Sequence, residues 1–285
     1  MIAPAHRWWQ SREGLRLHAY DYAAADGDAR LPVICLHGLT RNGRDFGELA
    51  PWVAARGRRT LAIDVRGRGL SDRDPAATYQ IPFYVDDVAT LLDGLGIAKA
   101  VFVGTSMGGL ITMATAAIRP DLIASAVIND VGPELAVEGL TRIASYVGQA
   151  SPITSWADAA DHLRRQNEHA LPHYARADWD AMARRMFREQ DGAITADYDP
   201  AIAKGFAGGA PDVDPWTFWN LLAKDRPVLL LRGALSDLLA EDVAARMTAT
   251  APTIRFAAIP DVGHAPMLDE PAALAAIGAF LQDMP

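Results

Sequence analysis

Val101-Phe102-Val103-Gly104-Thr105-Ser106-Met107-Gly108-Gly109 decides how this chain folds. Three apolar residues, two of them β-branched, run into Gly-x-Ser-x-Gly and are followed at once by residues with helical apolar spacing. That order predicts a buried strand, a sharp turn and a helix. Such a turn lifts the serine hydroxyl clear of the sheet, and glycines on both sides of it avoid collision with the crowded backbone. The helix that starts there brings free N–H groups and partial positive charge close to the serine. A glycine-rich strand-to-helix turn, with Ser106 as an ordinary N-cap, explains the same nine residues. The rest of the chain has to decide between the two.

The same rhythm recurs on both sides. Apolar β-type runs span Val33 to Leu36, Thr60 to Asp64, Ala100 to Gly104, Ile123 to Asn129, Pro227 to Arg232 and Thr253 to Ile259. Helical spacing follows at Arg44 to Ala55, Val85 to Leu95, Met107 to Ile118, Ala240 to Ala249 and Pro271 to Gln282. Runs that are apolar on both sides suit parallel strands covered by helices, so the order predicts a doubly wound α/β sheet. Arg7 to Arg12 and Leu15 to Tyr22 alternate around Glu13-Gly14 and read as an antiparallel hairpin at the sheet edge. Between residues 132 and 224 the strand rhythm stops and the text turns helical and aromatic. This stretch is expected to be an inserted helical cap over a core made of residues 1–131 and 225–285, with Gly208 to Pro211 as a bending loop.

Composition narrows the partners. The chain has 285 residues with 27 Lys and Arg against 35 Asp and Glu, and the net charge of -8 disfavours nucleic acid and anionic membrane surfaces. A small molecule is the expected partner, and a homodimer is allowed but nothing in the sequence specifies it. There is no apolar run long enough to span a bilayer and no signal-like start, so a cytoplasmic protein is expected. The single cysteine, Cys35, lies inside an apolar run and reads as a buried hydrophobe, which leaves no internal disulfide. His162, His169 and His173 fall close together, but Pro172 interrupts any helix that would align them, and no metal or cofactor is expected.

A serine hydroxyl needs a base, and histidine has the ordinary pKa best suited to that task near neutrality. His264, in Ile259-Pro260-Asp261-Val262-Gly263-His264 after the last strand, is the candidate, because a loop at a strand's carboxyl end reaches the same sheet edge as Ser106. A carboxylate must then hold the other ring nitrogen. Asp237, in Arg232-Gly233-Ala234-Leu235-Ser236-Asp237 after the penultimate strand, is the choice; it gives the chain order Ser, Asp, His. Asp130, which ends the strand Ile123 to Asn129, is the rival, read instead as holding the cap entrance. For an oxyanion the donors expected are the backbone N–H groups of Met107 and Leu39, the latter in the turn His37-Gly38-Leu39-Thr40. His37 reads as a structural histidine bonded within that loop.

Together, His37-Gly38, Asp64-Val65-Arg66-Gly67-Arg68-Gly69-Leu70-Ser71, Gly104-Thr105-Ser106-Met107-Gly108-Gly109, Asp237 and Gly263-His264 resemble the α/β-hydrolase superfamily over nearly the whole chain. The resemblance implies a mostly parallel eight-stranded sheet with helices on both faces, an inserted lid and no cofactor. Within the superfamily the chain is similar to the esterase, lactonase and C–C hydrolase branch; dehalogenases and most epoxide hydrolases carry aspartate where Ser106 stands. The loop His37 to Asn42 departs from lipases in lacking their glycine-rich extension. Gly38, Thr40 and Arg41 are expected to touch substrate, and Trp216 and Trp219 to line an apolar acyl pocket. A serine carboxylesterase or lactonase is therefore expected, with a C–C hydrolase of a ring-fission diketone as the second enzyme reading. A ligand-binding sensory protein on the same fold is the reading from another class.

Overall fold

A computed structural model of the protein describes residues 2–25, 27, 30–149, 153–206 and 213–285. The expected bending loop at 208–211 lies outside the described residues. Strands β1 (Ala5–Gln10), β2 (Arg16–Tyr22), β3 (Val33–Leu36), β4 (Thr60–Asp64), β5 (Ala100–Thr105) and β6 (Ile123–Asn129) come first. Helices α1 (Leu49–Ala54), α2 (Ile81–Leu95) and α3 (Met107–Ile118) lie among them. After β6 come α4 (Val137–Ala144), α5 (Trp156–Asn167), α6 (Arg176–Met186), β7 (Phe187–Gln190), β8 (Ala193–Ala196), α7 (Ile202–Phe206) and α8 (Pro215–Ala223). The chain closes with β9 (Val228–Gly233), α9 (Glu241–Thr248), β10 (Ile254–Ile259) and α10 (Pro271–Gln282). No described helix is long and apolar enough to cross a membrane.

Eight strands form one sheet in the order β1-β2-β4-β3-β5-β6-β9-β10. From β4 to β10 all pairings are parallel, while β1 and β2 add the antiparallel edge hairpin read in the sequence. Successive strand residues point to opposite faces. Thus Ile34, Leu36, Leu61, Ile63 and Phe102 join a core with α2, α3, α8 and α9, whereas Val33, Cys35, Ala62, Val101 and Val103 join another with α1 and α10. Cys35 is fully buried, and burial pushes its thiol pKa up, which keeps it inert.

Two features of the segment between β6 and β9 differ from the expectation of helices alone. β7 and β8 pair as an antiparallel hairpin through Asp191-Gly192, both at positive φ (53° and 78°). Asp-Gly is the dipeptide a two-residue hairpin turn of this hand favours, and an aromatic and helical reading passed over it. The other is α8, whose Trp219 and Leu222 are buried in the same core as α3.

Candidate active site

Ser106 stands where β5 ends and α3 begins, at φ 52° and ψ −116°, a conformation that L-residues avoid. The neighbouring sequence makes room for it. A Cβ on Gly104 would lie 2.4 Å from the Gly108 carbonyl oxygen, and one on Gly108 would lie 2.0 Å from that of Leu36. Gly104 is therefore required by the close fold of the turn onto the start of α3, and Gly108 by the packing of that start against β3.

His264, on the loop after β10, places Nε2 3.0 Å from Ser106 Oγ. Its Nδ1 lies 2.9 Å from Oδ2 of Asp130. The carboxylate on the histidine is thus Asp130, which corrects the choice of Asp237. Asp130 follows β6 directly, is fully buried, and sits at φ 56°. Its oxygens also accept from the Gly233 N–H (3.0 Å) and the Ser236 hydroxyl (2.8 Å), so the buried charge is met by three donors. Asp237 instead receives a bidentate pair from Arg142 of α4, at 2.6 and 2.8 Å. Burial raises its carboxyl pKa, yet the Arg142 bonds outweigh this and hold it below the ordinary aspartate value. Asp237 ties α4 to the loop after β9.

Three supports escaped the sequence reading. Ser236 bonds Asp130 and also accepts from the Leu238 and Leu239 N–H groups. Asn129, fully buried, donates from Nδ2 to Thr105 Oγ1 (3.0 Å) and to the Pro266 carbonyl (2.9 Å), joining the end of β5 to the histidine loop. Arg68, 1% exposed, donates to the Leu39 carbonyl at 3.0 Å. Arg68 and Ser236 stand in stretches already singled out, Asp64 to Ser71 and Arg232 to Asp237, but the spacing of those letters does not say which partners the side chains take.

The loop His37 to Arg41 closes the site from the other side. His37 Nε2 accepts the Val65 N–H (3.1 Å), so its Nδ1 carries the proton and donates to the Gly38 carbonyl (2.8 Å). Full burial drives its pKa down to about 4 against a small opposing effect of that bond. A neutral, structural imidazole results, as the sequence suggested. A Cβ on Gly38 would come within 3.7 Å of Ser106 Cβ, which measures how closely this loop approaches the serine. Among the described residues no hydrogen bond occupies the Leu39 N–H. Met107, as the first residue of α3, has no acceptor within the helix for its own N–H.

A cavity of about 600 Å³ opens over Ser106 and His264. Gly38, Leu39, Thr40 and Arg41 line it, with Arg41 held by Asp45 through a 2.5 Å ion pair. Asn42, beside them, is engaged elsewhere, donating to the Arg185 carbonyl. Its apolar wall comes from Phe46, Ile143, Tyr146, Phe187, Ile194 and Tyr198. Trp216 and Trp219 are not among the lining residues, which corrects the expected acyl pocket. Trp219 is buried under α3 with Nε1 on Thr250 Oγ1 (3.0 Å), and Trp216 lies beneath the Arg246 guanidinium, 4.9 Å from it. Their helix serves the core, and aromatic content did not reveal which side it packs on. The three histidines noted in the sequence are separate: His162 lines the cavity, His169 stands 4.0 Å from Asp237, and His173 packs on Tyr174.

A strained serine at a strand-to-helix turn, a histidine from the last strand's loop and an eight-stranded sheet are the parts of an α/β-hydrolase. The sequence pattern of the alpha/beta hydrolase fold family matches residues 32–271, and the chain belongs to that family of enzymes. The 3-hydroxybutyrate-oligomer hydrolase of Cupriavidus necator is 32% identical over 279 residues, covering 95% of this chain and 94% of that protein. The esterase YbfF of Escherichia coli is 28% identical and covers 88% and 93%. A solved alpha/beta hydrolase from Novosphingobium aromaticivorans superposes with a TM-score of 0.92 at 44% identity, over 99% of both chains.

Proposed function

We propose that the protein is a serine hydrolase of small carboxylic esters that works through an acyl-serine intermediate, with Ser106, His264 and Asp130 as its triad. The observation that carries this reading is the unbroken chain from Ser106 Oγ to His264 Nε2 (3.0 Å) and from His264 Nδ1 to Asp130 (2.9 Å) at the floor of an open cavity. In this reaction Ser106 Oγ attacks the ester carbonyl carbon while His264 Nε2 takes the hydroxyl proton. Asp130 keeps the remaining proton on Nδ1 and stabilises the imidazolium. The negative oxygen of the tetrahedral intermediate accepts from the N–H groups of Leu39 and Met107, and His264 then passes its proton to the leaving alcohol. Water repeats the cycle on the acyl-serine and releases the acid. The esterase among the relatives supports an ester as the bond cleaved.

The test is covalent labelling with a fluorophosphonate together with turnover of p-nitrophenyl butyrate. Wild type should label and turn over, and Ser106→Ala should lose both while keeping its melting temperature. Turnover that persists in Ser106→Ala would overturn the reading.

A further inference from the structure

Arg68 is one of the largest fully buried side chains of the molecule, and the hydrogen-bond partners found for it among the described residues are all neutral. Its Nε donates to the Leu39 carbonyl (3.0 Å), Nη1 to the Arg66 carbonyl (2.8 Å) and to Tyr84 Oη (3.1 Å), and Nη2 lies 3.6 Å from Met107 Sδ. The rings of Tyr79 and Tyr84 lie 5.5 and 5.2 Å from the guanidinium carbon. Among the described residues no carboxylate reaches ion-pairing distance of it. Arg66, two residues earlier and equally buried, marks the contrast, with Asp87 at 2.7 and 2.6 Å and Glu13 at 2.9 Å.

An arginine removed from water is costly unless something compensates its charge. Here the partners are neutral, and two of them are Leu39 and Met107, the residues whose N–H groups are the proposed oxyanion donors. These come from separate parts of the chain, one after β3 and one at the start of α3. One rigid planar fork spans both. We propose that Arg68 is the positioning residue of the oxyanion hole: it fixes the Leu39 carbonyl and the Met107 side chain relative to each other, and its unneutralised charge favours the negative oxygen that forms between them. This rests on the acyl-serine reading above. The ground-state ester carries no such charge, so the benefit falls on the transition state.

The experiment compares wild type with Arg68→Met and Arg68→Lys, using p-nitrophenyl butyrate and counting active sites by fluorophosphonate titration. Affinity for a trifluoromethyl ketone, which binds serine as a charged tetrahedral adduct, is measured alongside. Arg68→Met should lower kcat per titrated site on the order of 100-fold, in the range found for loss of one oxyanion donor, with KM nearly unchanged. Ketone affinity should fall by a similar factor, and Arg68→Lys, which keeps the charge without the fork, should recover part of both. A merely structural arginine would lower the titrated fraction and the melting temperature but leave kcat per site and ketone affinity as in wild type; that result overturns the proposal. Should Arg68→Met not fold, Arg68→Lys decides alone, since unchanged kcat per site in it would overturn the proposal and a fall in kcat with unchanged KM would support it. Wild type that neither labels nor turns over sinks the acyl-serine reading itself, and the proposal with it.

Discussion

Replacing Asp130 by asparagine changes one atom's chemistry and should stop turnover. The carboxylate receives three donors: Gly233 N–H on Oδ1, and Ser236 O–H and His264 Nδ1 on Oδ2. An amide has one oxygen and two N–H donors. If its oxygen stays toward Gly233, its NH₂ faces His264 Nδ1, and the imidazole must move its proton to Nε2, where it can no longer accept from Ser106. If its oxygen turns to His264, two buried N–H groups confront each other. Either way the charge that stabilises the imidazolium is gone. At about 4 Å between charge centres and an effective dielectric of 20, that charge is worth about 4 kcal/mol, or roughly 10³ in rate. Adding the tautomer penalty, Asp130→Asn should lose on the order of 10³ to 10⁴ in kcat. Asp237→Asn, which only weakens the bond to Arg142, should keep kcat within about tenfold and lose about 1–3 kcal/mol of stability. The assay is kcat on p-nitrophenyl butyrate per titrated site, with thermal melts to confirm folding. Equal losses in the two variants, or a nearly full kcat in Asp130→Asn, would refute the assignment of the acid.

His37 gives a pH prediction. Its folded pKa is about 4 against an ordinary 6.5, so between these values the unfolded chain binds a proton that the folded one refuses. Stability is therefore full above about pH 6.5 and falls toward pH 4 by up to about 3 kcal/mol. His37→Gln should melt with a shallower pH dependence than wild type, and an identical dependence would count against it. Gly108→Ala should be destabilised by about 1–3 kcal/mol, since its Cβ would lie 2.0 Å from the Leu36 carbonyl oxygen. Because the shift it forces on the end of β3 carries the Leu39 loop along, kcat should drop by up to about 100-fold, measured per titrated site. Trp219→Ala should cost about 3–5 kcal/mol in chemical denaturation without altering KM. Trp216→Ala should leave KM unaltered as well, and a raised KM in either would return that tryptophan to the substrate pocket.

Much of this was legible in the letters because the signals were local. Each parallel strand announced itself as an apolar run, and β3, β4 and β6 keep the expected bounds. Helix starts were less clear, and proline explains why. The expected helix Arg44 to Ala55 is a 3-10 turn at Gly43–Phe46 followed by α1 from Leu49. Pro51 has no N–H to give, so it suits the first turn of a helix and not its middle. Pro82 likewise lets α2 begin at Ile81, a turn ahead of the expected Val85. The cavity was read less well than the elements. Tyr198 and Phe187 line it while Trp216 and Trp219 do not, and that sorting depends on which way whole elements face in the long segment between β6 and β9.

The acid was misplaced for a reason that geometry makes plain. β6 and β9 are neighbours in the sheet, with Asn129 opposite Leu231, and the Asp130 N–H continues the ladder to the Leu231 carbonyl. Paired strands run about 4.8 Å apart, so a carboxylate at the end of either can reach the same imidazole. Both acids also satisfy the order Ser, Asp, His along the chain, and chain order alone therefore carried no information about which one serves. What separates them is the company each keeps: Gly233, at the end of β9, and Ser236, in the loop after it, converge on Asp130, while Arg142 of α4 claims Asp237. An aspartate already committed to a bidentate arginine is a poor partner for a histidine that, in the proposed reaction, gains and loses a proton on every cycle. With Arg142 of α4 on Asp237, the carboxylate that meets His264 comes from the end of the neighbouring strand β6, and Gly233 and Ser236 serve as its hydrogen-bond donors.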